Sequence, residues 1–412
     1  MSLHGFTVAA IVSMVALGEA RTAEPLKVDS LLKSLMKVQD RIAEGDVAAL
    51  PLQQHLMKLL DAAIAEAGGA GEMSTEEFRA LIIFGIAGTG SRAVIDALRE
   101  VTTSKKKMQL ADAVIDYRNR KKKRAIKKFA KIDITKLDAR LQPFVAFANG
   151  NLVTRSKPGQ AIKYYNLTRL SAPGTLLEEA SLRRLMSLHK AEGHGVEFIA
   201  MAKQYARRFL KSPYRKQYIA LLQSGIFSMR RTIPLKDIGE LGQLMPIEFA
   251  VAFHMRLIRD ALVSGHLKMA EFSIGQMIGF AEKARGVQID AAQLALFKVL
   301  SRMTSGEPQV LLAELDAIDT TALRKDDKRL LASAKRILGS ILAPIDEAST
   351  GATDPARASD AMEEKKPELA FGASSGPSKS EKMDKDENPD EIDSFINKTQ
   401  KRLTAIDRML NK

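Results

Sequence analysis

Lys157-Pro-Gly-Gln-Ala161-Ile-Lys-Tyr-Tyr165-Asn-Leu-Thr-Arg-Leu-Ser-Ala-Pro173-Gly174 decides the fold. Pro158 suits the first turn of a helix, where its missing N–H costs nothing. Ala161 is small enough to let a second helix approach, and Tyr165, one turn on, fills the groove between the two. Pro173, eight residues further, prevents the helix from continuing. The stretch therefore reads as one arm of a helical hairpin. Tyr205 and Pro213 repeat the aromatic-to-proline spacing forty residues later, with Met201 where the small residue stood.

Working outward, helix follows helix. Val28, Leu31, Leu32, Leu35, Val38 and Ile42 fall on one face of a helix that Gly45-Asp46 stops. Ala48–Ala67 predicts the next, with Leu52, Leu56, Leu59, Leu60 and Ile64 on one side and Gly68–Gly71 as its end. Ser74 followed by Glu77 is a capping box. Short turns such as Ala172-Pro173-Gly174 and Gly193-His194-Gly195 separate helices as far as about Leu342. Sustained period-two alternation and Asn-Gly or Asp-Gly turns are lacking, so strands are not expected. Long helices alternating with short turns predict an all-α fold over residues 21–342: an array of helical hairpins forming a tetratricopeptide-like α-solenoid body.

Both ends differ from this body. Residues 6–17 are an unbroken apolar run, too short to cross a hydrocarbon core that needs about 20 residues. Gly18 and Ala20 stand three and one residues before a cut that a signal peptidase would make ahead of Arg21. The expectation is a signal peptide over residues 1–20 and a periplasmic mature chain without a transmembrane segment. A buried N-terminal helix is the alternative, but the run has no amphipathic stripe. Residues 343–388 are rich in Ala, Ser, Gly, Pro and charge and predict a disordered acidic linker. Residues 389–412 regain helical character: Asn388 caps, Pro389 suits the first turn, and Ile392, Ile396, Leu403, Ile406 and Leu410 form an apolar stripe. An amphipathic helix alone on a tether is unstable, so it folds back on the body or docks on a partner.

Composition restricts the chemistry. With no cysteine the chain has no disulfide, zinc–thiolate site, thiol nucleophile or lipid-modified cysteine. The net charge of +14 is polarised: residues 105–131 hold twelve Lys/Arg against two Asp, and Ala343–Asp393 holds fourteen acids against six bases. For an exported chain this points away from nucleic acid and towards an anionic surface, an acidic protein or the chain's own tail. Arg118–Lys131 reads as one cationic helix with a thin apolar edge at Ile126, Phe129 and Ala130. The stretch Gly85-Ile-Ala-Gly-Thr-Gly90-Ser-Arg has Ser91 where a phosphate loop needs lysine, and reads as an interhelical turn. His189 and His194 lack a carboxylate at ligand spacing, and His254 reads as a hydrogen-bonded core residue. Neither Gly-x-Ser-x-Gly nor His-Glu-x-x-His occurs. No catalytic residue, metal site or cofactor is expected.

Several of these segments resemble the MotC family, periplasmic motility proteins of flagellated α-proteobacteria. They are Leu31–Gln53, Leu56–Asp61, Phe78–Gly88, Lys157–Tyr165, Ala172–Arg184 and Leu210–Tyr214. The resemblance implies a non-enzymatic protein required for flagellar rotation that binds the periplasmic part of the stator protein MotB as chaperone or regulator. The alternatives are an exported wall-remodelling enzyme built on a solenoid, against which stands the absence of a Glu-Ser dipeptide, or a scaffold binding an anionic surface. The candidate partner-binding residues are Lys105, Lys106, Lys107, Arg118, Arg120, Lys121, Lys122, Lys123 and Arg124 on the basic stretch, and Ile392, Ile396, Leu403, Ile406 and Leu410 on the terminal helix.

Overall fold

The computed structural model describes residues 27–67, 73–88, 92–101, 104–283 and 288–343. The expected export signal, linker and terminal helix lie outside them, apart from Ala343. Seventeen α-helices and no strand occur among the described residues.

The first six are α1 (Val28–Glu44), α2 (Leu50–Ala67), α3 (Thr75–Ala87), α4 (Arg92–Arg99), α5 (Lys105–Arg118) and α6 (Lys122–Phe129). In α1 all six stripe residues are buried. Gly45 ends it at φ +113°, and the N–H groups of Gly45 and Asp46 return to Ile42 O and Arg41 O. That is the left-handed stop glycine supplies without a Cβ penalty. The next helix starts two residues later than expected, after a 3-10 turn at Val47–Ala49, and Leu52 is exposed. Its buried stripe is Leu56, Leu60 and Ile64, spaced four apart. Ser74 and Glu77 complete the capping box of α3. The glycine stretch read as a turn begins inside α3: a Cβ on Gly85 would lie 2.8 Å from Val114 Cγ1, so the glycine serves close packing on α5.

From α7 the chain becomes regular. The helices are α7 (Gln142–Val153), α8 (Pro158–Ser171), α9 (Leu176–Glu192), α10 (Gly195–Arg208), α11 (Arg215–Ser228), α12 (Leu235–Gln243), α13 (Ile247–Val263), α14 (Leu267–Lys283), α15 (Ala291–Ser301), α16 (Pro308–Asp316) and α17 (Lys325–Leu342). Each packs on its successor in the main, and helices also touch one place further on: α7 on α9, α9 on α11, α10 on α12, α13 on α15, α15 on α17. This is the nearest-neighbour packing of a hairpin array.

Ala161 and Tyr165 are fully buried, as expected of the opening stretch. The Tyr165 hydroxyl donates to Asn151 Oδ1 at 2.8 Å, and its ring covers Gly150, where a Cβ would come within 2.8 Å of it. The second echo holds at Tyr205, buried and stacked on Tyr218 with ring centroids 4.1 Å apart. Polar side chains link successive units: Arg183 Nη1 to Gln217 Oε1 (2.6 Å), Lys190 Nζ to Ser224 Oγ (2.9 Å) and Lys203 Nζ to Asp237 Oδ1 (2.6 Å). Gln293 and Asp327 form the same link further on. In each pair the partners are 34 residues apart, so equivalent positions of neighbouring hairpins touch.

Two hydrophobic cores meet at α9. Leu185 and Leu188 belong to the first, with α1–α8, while Leu182 and Met186 belong to the second, with α10–α17 and Ala43 of α1.

Candidate partner-binding surfaces

A groove of about 600 Å³ opens between α1, α3, α7 and the start of α9. Its floor is apolar, with Leu32, Met36, Ile83, Ile86, Phe144 and Phe147. Asp29, Lys33, Asp40, Arg79 and Arg140 are the ionisable residues of its lining, and Asp29 pairs with Lys33. Asp40 Oδ1 accepts the N–H of Leu176 at 3.1 Å, tying α1 to the first turn of α9. Burial raises the Asp40 pKa, the Leu176 bond opposes this, and the neighbouring charge of Glu44 adds to the rise. Arg79 is buried; its Nη2 lies 3.1 Å from Asp138 Oδ2 and 3.5 Å from Glu76 Oε1. Its Nε has no hydrogen-bond partner among the described residues. A groove of this size with an apolar floor and a few fixed polar groups suits the apolar face of a helix or extended segment. Leu32 was read only as part of the α1 stripe and none of these residues as a groove, because the groove exists only once helices far apart in the chain are packed together.

The basic stretch folds differently from the expectation. It is not one helix: α5 ends at Arg118, and the chain turns through Asn119 and Arg120 and returns as α6, packed on α5. Arg120 sits at φ +55°, the one non-glycine residue at positive φ among the described residues. A long side chain in that conformation stores of the order of 1–2 kcal/mol. The reversal buries Ala125 and Phe129, and the Phe129 ring meets Tyr117 edge-on with centroids 6.4 Å apart. Ala130, placed on the apolar edge by the single-helix reading, is exposed.

Three of the nine predicted cations are turned to structural use. Lys107 Nζ bonds Thr75 Oγ1 at 3.3 Å and lies 5.4 Å from the Phe78 ring centre. Arg118 Nη1 donates to Gly88 O at 2.9 Å, and burial lowers its pKa. Arg124 Nε lies 3.3 Å from Oδ2 of buried Asp116, which Lys128 Nζ also approaches, at 2.9 Å. Lys105, Lys106, Arg120, Lys121, Lys122 and Lys123 are exposed and pair with no carboxylate among the described residues. Neither α5 nor α6 has an acid in its first turn, so both begin with cations at the positive end of the helix dipole. Local stability disfavours that placement. The hairpin is thus a compact cationic surface adjoining α3, which also lines the groove. Ile392, Ile396, Leu403, Ile406 and Leu410 lie outside the described residues.

Among the described residues the histidines form no cluster with other metal-ligating side chains. The His189 and His194 rings are 5.8 Å apart, and no group of three or more His, Cys, Asp or Glu that could hold a metal occurs among the described residues. His254 is buried as expected but not hydrogen-bonded: neither ring nitrogen has a partner. Phe253, Phe280 and Gly242 enclose it, and burial lowers its pKa to about 4.

The class defined here is an all-α hairpin array with an apolar groove and a cationic hairpin. The family described as "Chemotaxis protein MotC" matches residues 1–412, and the chain belongs to it. A curated relative, "Chemotaxis protein MotC" of Rhizobium meliloti (strain 1021), is 24% identical over 340 residues, 81% of this chain and 77% of the relative. No solved structure matches. The family is described by chemotaxis rather than by a reaction, and no helix among the described residues is long and apolar enough to cross a membrane.

Proposed function

We propose that this chain, after removal of residues 1–20, works in the periplasm as a non-enzymatic protein required for flagellar rotation. It binds the periplasmic part of the stator protein MotB and holds it in a rotation-competent state. Membership of the MotC family carries this reading. The groove supplies a place for an apolar segment, and the six exposed cations of the α5–α6 hairpin supply attraction for an acidic one. No bond is made or broken; the partner's population shifts towards the bound conformation.

An in-frame deletion complemented with the full gene, or with a copy lacking residues 2–20, tests the reading. Normal filaments that do not turn, rescued only by the exported copy, support it. Normal swimming after deletion rejects it. The cationic hairpin also favours a second reading, a scaffold on an anionic surface. Salt-sensitive binding to anionic vesicles, with no affinity for the stator segment, would select that one.

A further inference from the structure

The groove between α1, α3, α7 and α9 has a length, a floor and an unmatched charge, and together these define an occupant. Its α1 wall runs from Asp29 to Asp40, about 17 Å or three turns of helix. The floor is apolar, so what fills it presents an apolar stripe. The charges of the lining decide what else that stripe carries. Lys33 is matched by Asp29, with Nζ and Oδ2 2.5 Å apart, and Asp40 is matched by the Leu176 N–H. What is left over is positive. Arg140 is exposed and pairs with no carboxylate among the described residues. Arg79 Nε is the one buried side-chain atom of the lining that lacks a hydrogen-bond partner among the described residues.

Asp138 draws these two arginines together. Its Oδ2 lies 3.1 Å from Arg79 Nη2, and its Oδ1 accepts the backbone N–H of Arg140 at 2.8 Å. A carboxylate entering there meets a free guanidinium at Arg140 and an underused one at Arg79, and a buried donor left unpaired is a cost that an incoming acceptor removes. Resting on the reading that this chain works by binding another protein, we propose that the groove holds an amphipathic helix of about three turns from the partner, with a Glu or Asp at one end of its apolar stripe that pairs with Arg140 beside Arg79. The division of labour follows. The lysines of the α5–α6 hairpin act at a distance and speed the encounter, whereas the groove selects which sequence stays.

Two labelled helical peptides of about three turns test this on the full chain by fluorescence anisotropy. They share one apolar stripe and differ only at its end position, Glu in one and Lys in the other. The chain should bind the Glu peptide at least about tenfold more tightly, and Arg140→Glu, a change at an exposed side chain, should reverse that preference. Met36→Asp, which sets a charge on the half-buried floor, should abolish binding of both. Binding of neither peptide by the unaltered chain, equal affinity for the two, or a preference that survives Arg140→Glu overturns the proposal. Binding that survives Met36→Asp also overturns it, since the site would then lie outside the groove. The periplasmic fragment of the stator protein is measured alongside. If it binds with an affinity that neither variant changes, the groove proposal fails and the stator reading stands. If it does not bind while the peptide preference switches with Arg140, the stator reading fails and the groove proposal stands.

Discussion

Two stretches of the chain, α1–α6 and α7–α17, are held by different means. From α7 onward, buried carboxylates are drawn into networks of hydrogen bonds and ion pairs, while Ser181 Oγ, His189 Nδ1, both His254 ring nitrogens and Ser273 Oγ stay unpartnered among the described residues. Glu178 takes Arg208 and Gln204, Glu179 takes Arg183, the Tyr205 hydroxyl and Ser212, and Asp327 takes Arg259 through two bonds of 3.1 Å. In α1–α6 the ion pairs lie mostly at the surface, and the charges concentrate on one hairpin that local electrostatics does not favour. The array spends its polar groups on keeping neighbouring units in register. The N-terminal helices leave most of theirs to solvent, with Arg79 and Asp116 as buried exceptions.

The largest expected effect contrasts one substitution in each region. Asp327→Ala leaves Arg259 and Gln293 without their buried acceptor and should cost about 3–5 kcal/mol in urea unfolding. Asp96→Ala, removing the surface pairs with Arg92 and Arg99, should cost less than about 1 kcal/mol. Comparable losses at both sites would erase the distinction. Close packing in the array should show next. A Cβ on Gly225 would fall 2.1 Å from Phe198 Cζ, so Gly225→Ala should destabilise by about 1–3 kcal/mol. Unchanged stability would mean that the ring has room to move.

A pH effect follows from His254. Its folded-state pKa, about 4, lies below the ordinary value of 6.5, so the unfolded chain binds the proton first. Its contribution is complete above about pH 6.5 and is lost as pH falls towards 4. His189, also lowered mainly by burial, acts in the same sense. Asp40, raised mainly by burial, acts oppositely: its contribution is present at low pH and lost as pH rises through its folded pKa. His254→Leu should therefore narrow the difference in Tm between pH 7 and pH 5. An unaltered difference would assign the acid sensitivity to other groups.

How far the sequence could be read followed the same divide. Apolar period marked α1, and the Ala161–Tyr165–Pro173 spacing marked the hairpins, because local packing rules set both. The 34-residue links were hidden, since Lys203 and Asp237 are individually ordinary surface charges and only the stacked hairpins join them. The acids at 178, 179 and 327 were hidden too, because apart from Arg183 the partners named above lie 26–68 residues away in the chain. The break at Asn119-Arg120 had no glycine or proline to announce it. The reading as one helix rested on Ile126, Phe129 and Ala130, which all lie after the break and do not report on it. What breaks it is tertiary: α6 folds back to bury Phe129, and the turn separates cations that a straight helix would crowd together.

The smallest effect is the sharpest test of what the N-terminal region is for. Lys105 and Lys106 stand in the first turn of α5, where the dipole opposes a positive charge. If stability alone chose these residues, glutamate would serve better, and Lys105→Glu/Lys106→Glu should raise stability by about 0.3–1 kcal/mol. The same change, extended by Lys121→Glu, Lys122→Glu and Lys123→Glu, should slow association with an acidic partner more than it speeds dissociation, and should flatten the salt dependence. Arg124 is left out because it neutralises buried Asp116. A gain in stability with a loss in association rate would mean that the hairpin gives up stability for recognition. A loss of stability would instead assign the lysines a structural role, and the contrast between the two regions would then fail at the place where it is strongest.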